Sequence, residues 1–120
     1  MTTSATRMEA ACSLLSESKR RYLLYLLAET RNGNIEDLIT QISAWEYDQH
    51  AGAIDKETRQ RVYVSLVHNH LPRLADYDIV EYDLRSGDIV LEDGFDDIKP
   101  LLEQFKQTEE VQEIRARPAL

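Results

Sequence analysis

Apolar residues crowd almost every side of Tyr22-Leu23-Leu24-Tyr25-Leu26-Leu27, which predicts a helix buried on more than one face. Ser16 is its N-cap and it runs to about Glu29. Asn32-Gly33-Asn34 then stops it, with Gly33 suited to a left-handed C-cap. Ile35, Leu38, Ile39, Ile42 and Trp45 recur at helical spacing and place a second helix from Asn34 to near Asp48, with Trp45 in or beside the core. Gln49 to Ile54, containing Gly52, reads as a loop. Asp55 caps a third helix that runs to about His70, with Glu57 favouring its first turn. Pro72 restarts the chain as a short helical turn to about Tyr77.

Ile79-Val80-Glu81-Tyr82-Asp83-Leu84 and Ile89-Val90-Leu91 partly alternate around Arg85-Ser86-Gly87-Asp88, which is a β-hairpin signal. Ile98, Leu101, Leu102 and Phe105 form the stripe of a last helix, where Pro100 is tolerable only in the first turn. The fold class is therefore mainly α with a small β-hairpin: a winged helix-turn-helix plus an additional C-terminal helix. Residues 1–14 read as a loosely ordered segment and 15–93 as the winged-helix domain. Residues 94–114 read as a helix for packing or dimerisation, and 115–120 as a frayed tail.

Composition narrows the setting. The chain has 120 residues, 42% hydrophobic and 30% charged, which suits one packed domain. No run reaches the length of a membrane span and the N-terminus lacks a signal-peptide layout, so a cytoplasmic location is expected. The single cysteine, Cys12, lies among small apolar residues and reads as a buried thiol. There are 22 acidic and 14 basic residues, the latter mostly arginine, a surface that suits a salt-loving organism. Residues 1–75 carry nine of each sign, whereas 76–120 carry five basic and 13 acidic, so the whole excess of −8 lies in the C-terminal part. Any nucleic-acid surface belongs in the neutral N-terminal part.

From Leu15 to about Phe105 the chain resembles a family of small winged-helix (helix-turn-helix) proteins from haloarchaea. The resemblance rests on Lys19-Arg20-Arg21-Tyr22-Leu23-Leu24, Ala44-Trp45-Glu46, Arg59 to Leu66, His70-Leu71-Pro72-Arg73-Leu74 and Ile79-Val80-Glu81-Tyr82-Asp83. Asp78 departs from it, standing where Gly is expected at the bend into the hairpin. Asp tolerates the left-handed conformation, so the fold is unaffected. The resemblance implies a winged helix in an archaeal cytoplasm.

On the third helix, Val62, Tyr63, Leu66, Val67 and His70 fall on the core side at 100° per residue. Glu57, Arg61, Val64, Ser65 and His68 fall on the other, with Gln60 on the flank, Arg59 projecting from the core side at the first turn and Lys56 preceding it. The expected function is a DNA-binding transcription regulator whose third helix, about 55–70, is the recognition helix. Double-stranded DNA meets Lys56, Arg59, Gln60, Arg61, Ser65 and His68, with Arg85 at the hairpin tip. Glu81, Asp83, Asp88, Glu92 and Asp93 surround Arg85, and these carboxylates favour the alternative, a protein-interaction module that leaves DNA alone. Lys19-Arg20-Arg21 either brace a phosphate or pair with Glu17 and the acidic hairpin. His68 and His70 lie two apart and point opposite ways, so no metal site is expected. No phosphate loop or nucleophile motif marks an enzyme, and no cofactor is expected. Tyr22, Tyr25 and Leu26, with Leu101, Leu102 and Phe105, offer apolar surface beyond one three-helix core; the two stripes pack together within one chain or across a two-fold axis, and a homodimer interface is predicted there.

Overall fold

The computed structural model describes residues 4–109. Its first element is one that periodicity does not reveal. Helix α1, Ser4–Leu15, replaces the loose order expected over 4–14, while residues 1–3 of that segment lie outside the described residues. Among its described side chains, Ala11, Leu14 and Leu15 enter the core, a stripe too short to read as a pattern. Cys12 points the other way and is exposed, contrary to the buried thiol expected. The end of α1 is closed by the side chains that follow it. Ser16 Oγ donates to Ser13 O at 2.6 Å, so Ser16 finishes α1 rather than capping the next helix. Arg20 Nε donates to Leu14 O at 2.6 Å and Arg20 Nη2 to Ser13 O at 3.1 Å. Arg21 Nη1 donates to Leu15 O at 2.6 Å. Two cations thus sit on the carbonyls at the negative end of the helix dipole.

Helix α2, Ser18–Thr30, follows Glu17, and Leu23, Leu24, Tyr25 and Leu27 are buried along it. Its left-handed cap is Arg31 (φ 66°), not Gly33. Asn32–Asn34 instead forms a short strand, β1. Helix α3, Ile35–Glu46, starts where expected, with Asn34 Oδ1 accepting from Glu36 N at 3.0 Å. Trp45 is buried, at 6% exposure. A nine-residue connection with a tight turn at Ala51–Ala53 leads to α4, Lys56–Ser65, where Asp55 Oδ1 accepts from Thr58 N at 2.7 Å.

The chain does not break at Pro72. Ser65, Leu66, His70 and Leu71 all keep right-handed helical angles, and α4 passes through a π turn, Leu66–His70, into α5, Leu71–Asp76. A proline ring at 72 clashes with the carbonyl four residues back in an α-helix, at His68, and the wider turn relieves it. The same turn lets Leu66, Leu71 and Leu74 all reach the core with no exposure. Asp78, at φ 58°, makes the left-handed bend that follows.

Strands β2, Val80–Asp83, and β3, Asp88–Leu91, form the expected hairpin. β1 adds an unexpected third strand on the other edge of β3, so the antiparallel order is β1-β3-β2. Gly33 pairs with Ile89, and Tyr82 pairs with Ile89 from the other side. Val80, Ile89 and Leu91 face inward, while Glu81, Asp83 and Val90 face out. Helix α6, Phe95–Glu109, closes the core with Phe95, Ile98 and Leu102. Residues 110–114 of the expected helix and the tail 115–120 lie outside the described residues. Pro100 is the sixth residue of α6, later than the first turn allowed by its missing N–H. It is exposed there, as are Asp96 and Lys99, so water can serve the carbonyl that the proline leaves without a helical donor. No described helix is long and apolar enough to cross a membrane.

Candidate functional site

Helix α4 lies against α3 and turns its other face outward. Val62 and Leu66 are buried, and Tyr63 and Val67 are partly buried against the core. Lys56, Glu57, Gln60, Arg61, Val64 and His68 are exposed, and Ser65 is half-buried. The first turn begins at a carboxylate cap, since two donors from Thr58 hold the Asp55 carboxyl below the usual range. Among the described residues, no carboxylate lies within ion-pair distance of Lys56 or Arg61. Arg61 makes one long contact, 3.4 Å, to Thr58 Oγ1 of its own helix.

Arg59 is placed differently from expectation. Its guanidinium reaches across to α3, where it donates to Thr40 Oγ1 and pairs with Glu36 Oε2 at 3.3 Å. It fixes the angle between the two helices and is engaged rather than presented. A shallow groove of about 250 Å³ lies here, lined by Glu36, Ile39, Lys56, Arg59, Gln60 and Tyr63. His68 also shifts. Its place beyond Ser65 assumed a continuous α-helix, but the wider π turn carries it back from the row of Arg61. It remains exposed, while His70 is buried on the opposite side.

The hairpin tip stands beside the start of α3. Asn34 Nδ2 donates to Ser86 O at 3.2 Å, and Ile35 N donates to Gly87 O at 2.7 Å. Gly87 takes φ 81°, and a Cβ there would meet Ile35 Cγ2 at 3.0 Å. Glu36, one residue along, is the partner of Arg59. Arg85 at the tip and the first turn of α4 are therefore joined through the N-terminus of α3. Arg85 is exposed, and its backbone N–H is held by Asp83 Oδ1 at 2.8 Å. On the other side of the hairpin, Glu81 and Glu92 lie close enough to share a hydrogen bond, which raises the Glu92 carboxyl above its ordinary range.

The Lys19-Arg20-Arg21 cluster neither waits for phosphate nor meets the hairpin. Lys19 pairs with Glu46 at 3.2 Å, and Arg21 pairs with Glu109 at the end of α6. Arg20 is buried, and its Nη1 donates to His70 Nδ1 at 3.0 Å. Burial and the adjacent guanidinium push His70 down to about 4.

The residues expected at a dimer interface are occupied within one chain. Tyr25 is buried and donates to Glu109 Oε2 at 2.6 Å. Leu102 is buried in the core, and Tyr22, Leu26, Leu101 and Phe105 pack partly against it. Tyr22 meets Trp45 edge-on at 5.5 Å, and the Arg21 guanidinium lies 5.0 Å above the Phe105 ring. Tyr22, Leu26, Leu101 and Phe105 keep part of their surface exposed in the single chain. Among the described residues, no three His, Cys, Asp or Glu side chains are grouped to hold a metal ion.

A family profile described as a domain of unknown function (DUF7344) matches residues 12–90, from the end of α1 to β3. No curated protein and no solved structure matches the chain.

Proposed function

We propose that this chain, which belongs to the DUF7344 family, is a winged-helix protein that binds double-stranded DNA as a transcription regulator. Helix α4 enters the major groove and the hairpin tip approaches the phosphate backbone. The observation that carries this reading is the order α2-β1-α3-α4-α5-β2-β3, with α5 continuing α4 through the π turn and β1 on the outer edge of β3, which is compatible with a winged helix. It supports α4, with its exposed Lys56, Gln60 and Arg61, as the helix presented outward. The acidic, arginine-rich surface suits a haloarchaeal cytoplasm, where molar salt shortens the Debye length to about 3 Å and mutes repulsion between the hairpin and phosphate.

Titration against genomic duplex fragments at several salt concentrations tests the proposal. Arg61→Ala weakens binding by about 1–3 kcal/mol if its guanidinium makes a bidentate base contact. Arg85→Ala weakens all sequences alike and lowers the salt slope, as loss of one phosphate contact does. The second reading, a protein-interaction module, is favoured by the carboxylates on the outer face of the hairpin. It takes over if the wild type binds no duplex under any salt at which it is folded. Light scattering with and without bound DNA decides whether one copy or two occupy a site.

A further inference from the structure

The exposed face of α4 carries one large apolar side chain. Val64 is 43% exposed although valine is a poor choice for a solvated helix position, on grounds of both propensity and hydration. It stands three residues after Arg61 and four after Gln60, so the three form one patch along the C-terminal half of the outward face of α4. Arg61 and Gln60 supply donors suited to guanine and adenine edges. An isopropyl group between them has no hydrogen bond to offer. In a major groove the apolar feature open to it is the C5-methyl group of thymine.

We propose that Val64 is a specificity-determining residue that packs on a thymine methyl group, so that the duplex recognised must carry thymine at the position facing the last turn of α4. This rests on the DNA-binding reading above. The half-buried Ser65 beside it and the His68 carried off the row leave Val64 as the side chain at that position on the helix.

The test uses the full chain and a pool of random duplexes, selected by binding and sequenced. The recovered sequence is then remade with single thymine-to-deoxyuridine replacements, which delete one methyl group and leave every hydrogen-bonding edge unchanged. Wild type is expected to lose about fourfold in affinity at one thymine position, roughly the worth of one buried methyl group. Val64→Ala is expected to bind the thymine and deoxyuridine forms within about twofold of each other, having lost the partner of that methyl. Because Val64 is exposed and Ala favours helix, far-UV circular dichroism of the variant should match wild type. If deoxyuridine is tolerated everywhere, or if its penalty is unchanged in Val64→Ala, the role of Val64 is wrong while DNA binding stands. If no sequence is enriched over the input pool, the DNA-binding reading and this inference fall together.

Discussion

The arginines of this chain divide by what surrounds them, and the division decides which ones a ligand can use. Arg20, Arg21 and Arg59 are spent on carbonyls and carboxylates of neighbouring helices, while Arg61 and Arg85 form no ion pair among the described residues, Arg61 acting only at longer range on the Asp55 cap. Arg59→Ala should therefore act on the α3–α4 angle, lowering the melting temperature and affecting all DNA sequences alike. A loss of discrimination at one base pair, with unchanged melting, would put Arg59 back at the interface. His70 gives a second expectation. An arginine can only donate, so Arg20 requires His70 Nδ1 to be an unprotonated acceptor and the ring to be neutral. The unfolded histidine takes up a proton near its ordinary value of about 6.5, whereas the folded one resists until about 4. The unfolded state thus binds more protons in that window, and stability is full above it and falls as the pH drops through it. The loss is on the order of 2–3 kcal/mol. Lys19 and Arg73 add to the depression and Glu17 opposes it. Urea unfolding of wild type and His70→Gln between pH 7 and pH 4 isolates the contribution, because the carboxylates titrate in both. Equal pH slopes would remove His70 from the account.

At the scale of elements, the π turn is the feature with the sharpest mechanical meaning. It acts as one residue inserted into a helix whose two halves must both bury leucines. Deleting the exposed His68 should close it to an α turn while Leu66 and Leu71 keep their inward phase, and should cost about 3 kcal/mol because the Pro72 ring then meets the carbonyl four residues back. Deleting the exposed Val64 instead turns everything before it by about 100° and should abolish cooperative unfolding. Thermal melts of the two deletions decide between them. The same turn shows where sequence patterning reaches its limit. Helical spacing found α3, the Asp55 cap, the hairpin and α6, because each carries its own period. It read Pro72 as a break, since a proline's clash is local knowledge and its relief by a wider turn is tertiary. β1 was illegible because Asn-Gly-Asn has no strand propensity and is held by pairing with Ile89. The exposed cations of α4 were legible from phase, but the diversion of Arg59 was not, because Glu36 and Thr40 belong to another helix. The surplus apolar surface on α2 was legible; its partners within the chain, Trp45 of α3 beside Tyr22 and Glu109 of α6 on Tyr25, were not, because they lie far away in sequence.

For the molecule as a whole, α6 is latched to α2 by Glu109, which serves the Arg21 guanidinium and the Tyr25 hydroxyl together. Glu109→Ala leaves the Tyr25 hydroxyl and the Nε and Nη2 donors of Arg21 with no protein acceptor in a mostly buried place, Nη1 keeping Leu15 O, and should cost about 2–3 kcal/mol. Chemical denaturation measures it, and a cost below about 0.5 kcal/mol would mean the latch is solvated. The outward position of Cys12 has another use. The chain contains one cysteine and one tryptophan, so a dye attached at Cys12 and the indole of Trp45 form a donor–acceptor pair without any engineering. Trp45 is fixed in the core of α3, whereas Cys12 rides on a helix held mainly by three apolar contacts and two arginines. Fluorescence energy transfer therefore reports the seating of α1 separately from the tryptophan emission, which reports the core. Transfer lost at a lower urea concentration than the emission change would reveal α1 as the first part of the molecule to let go.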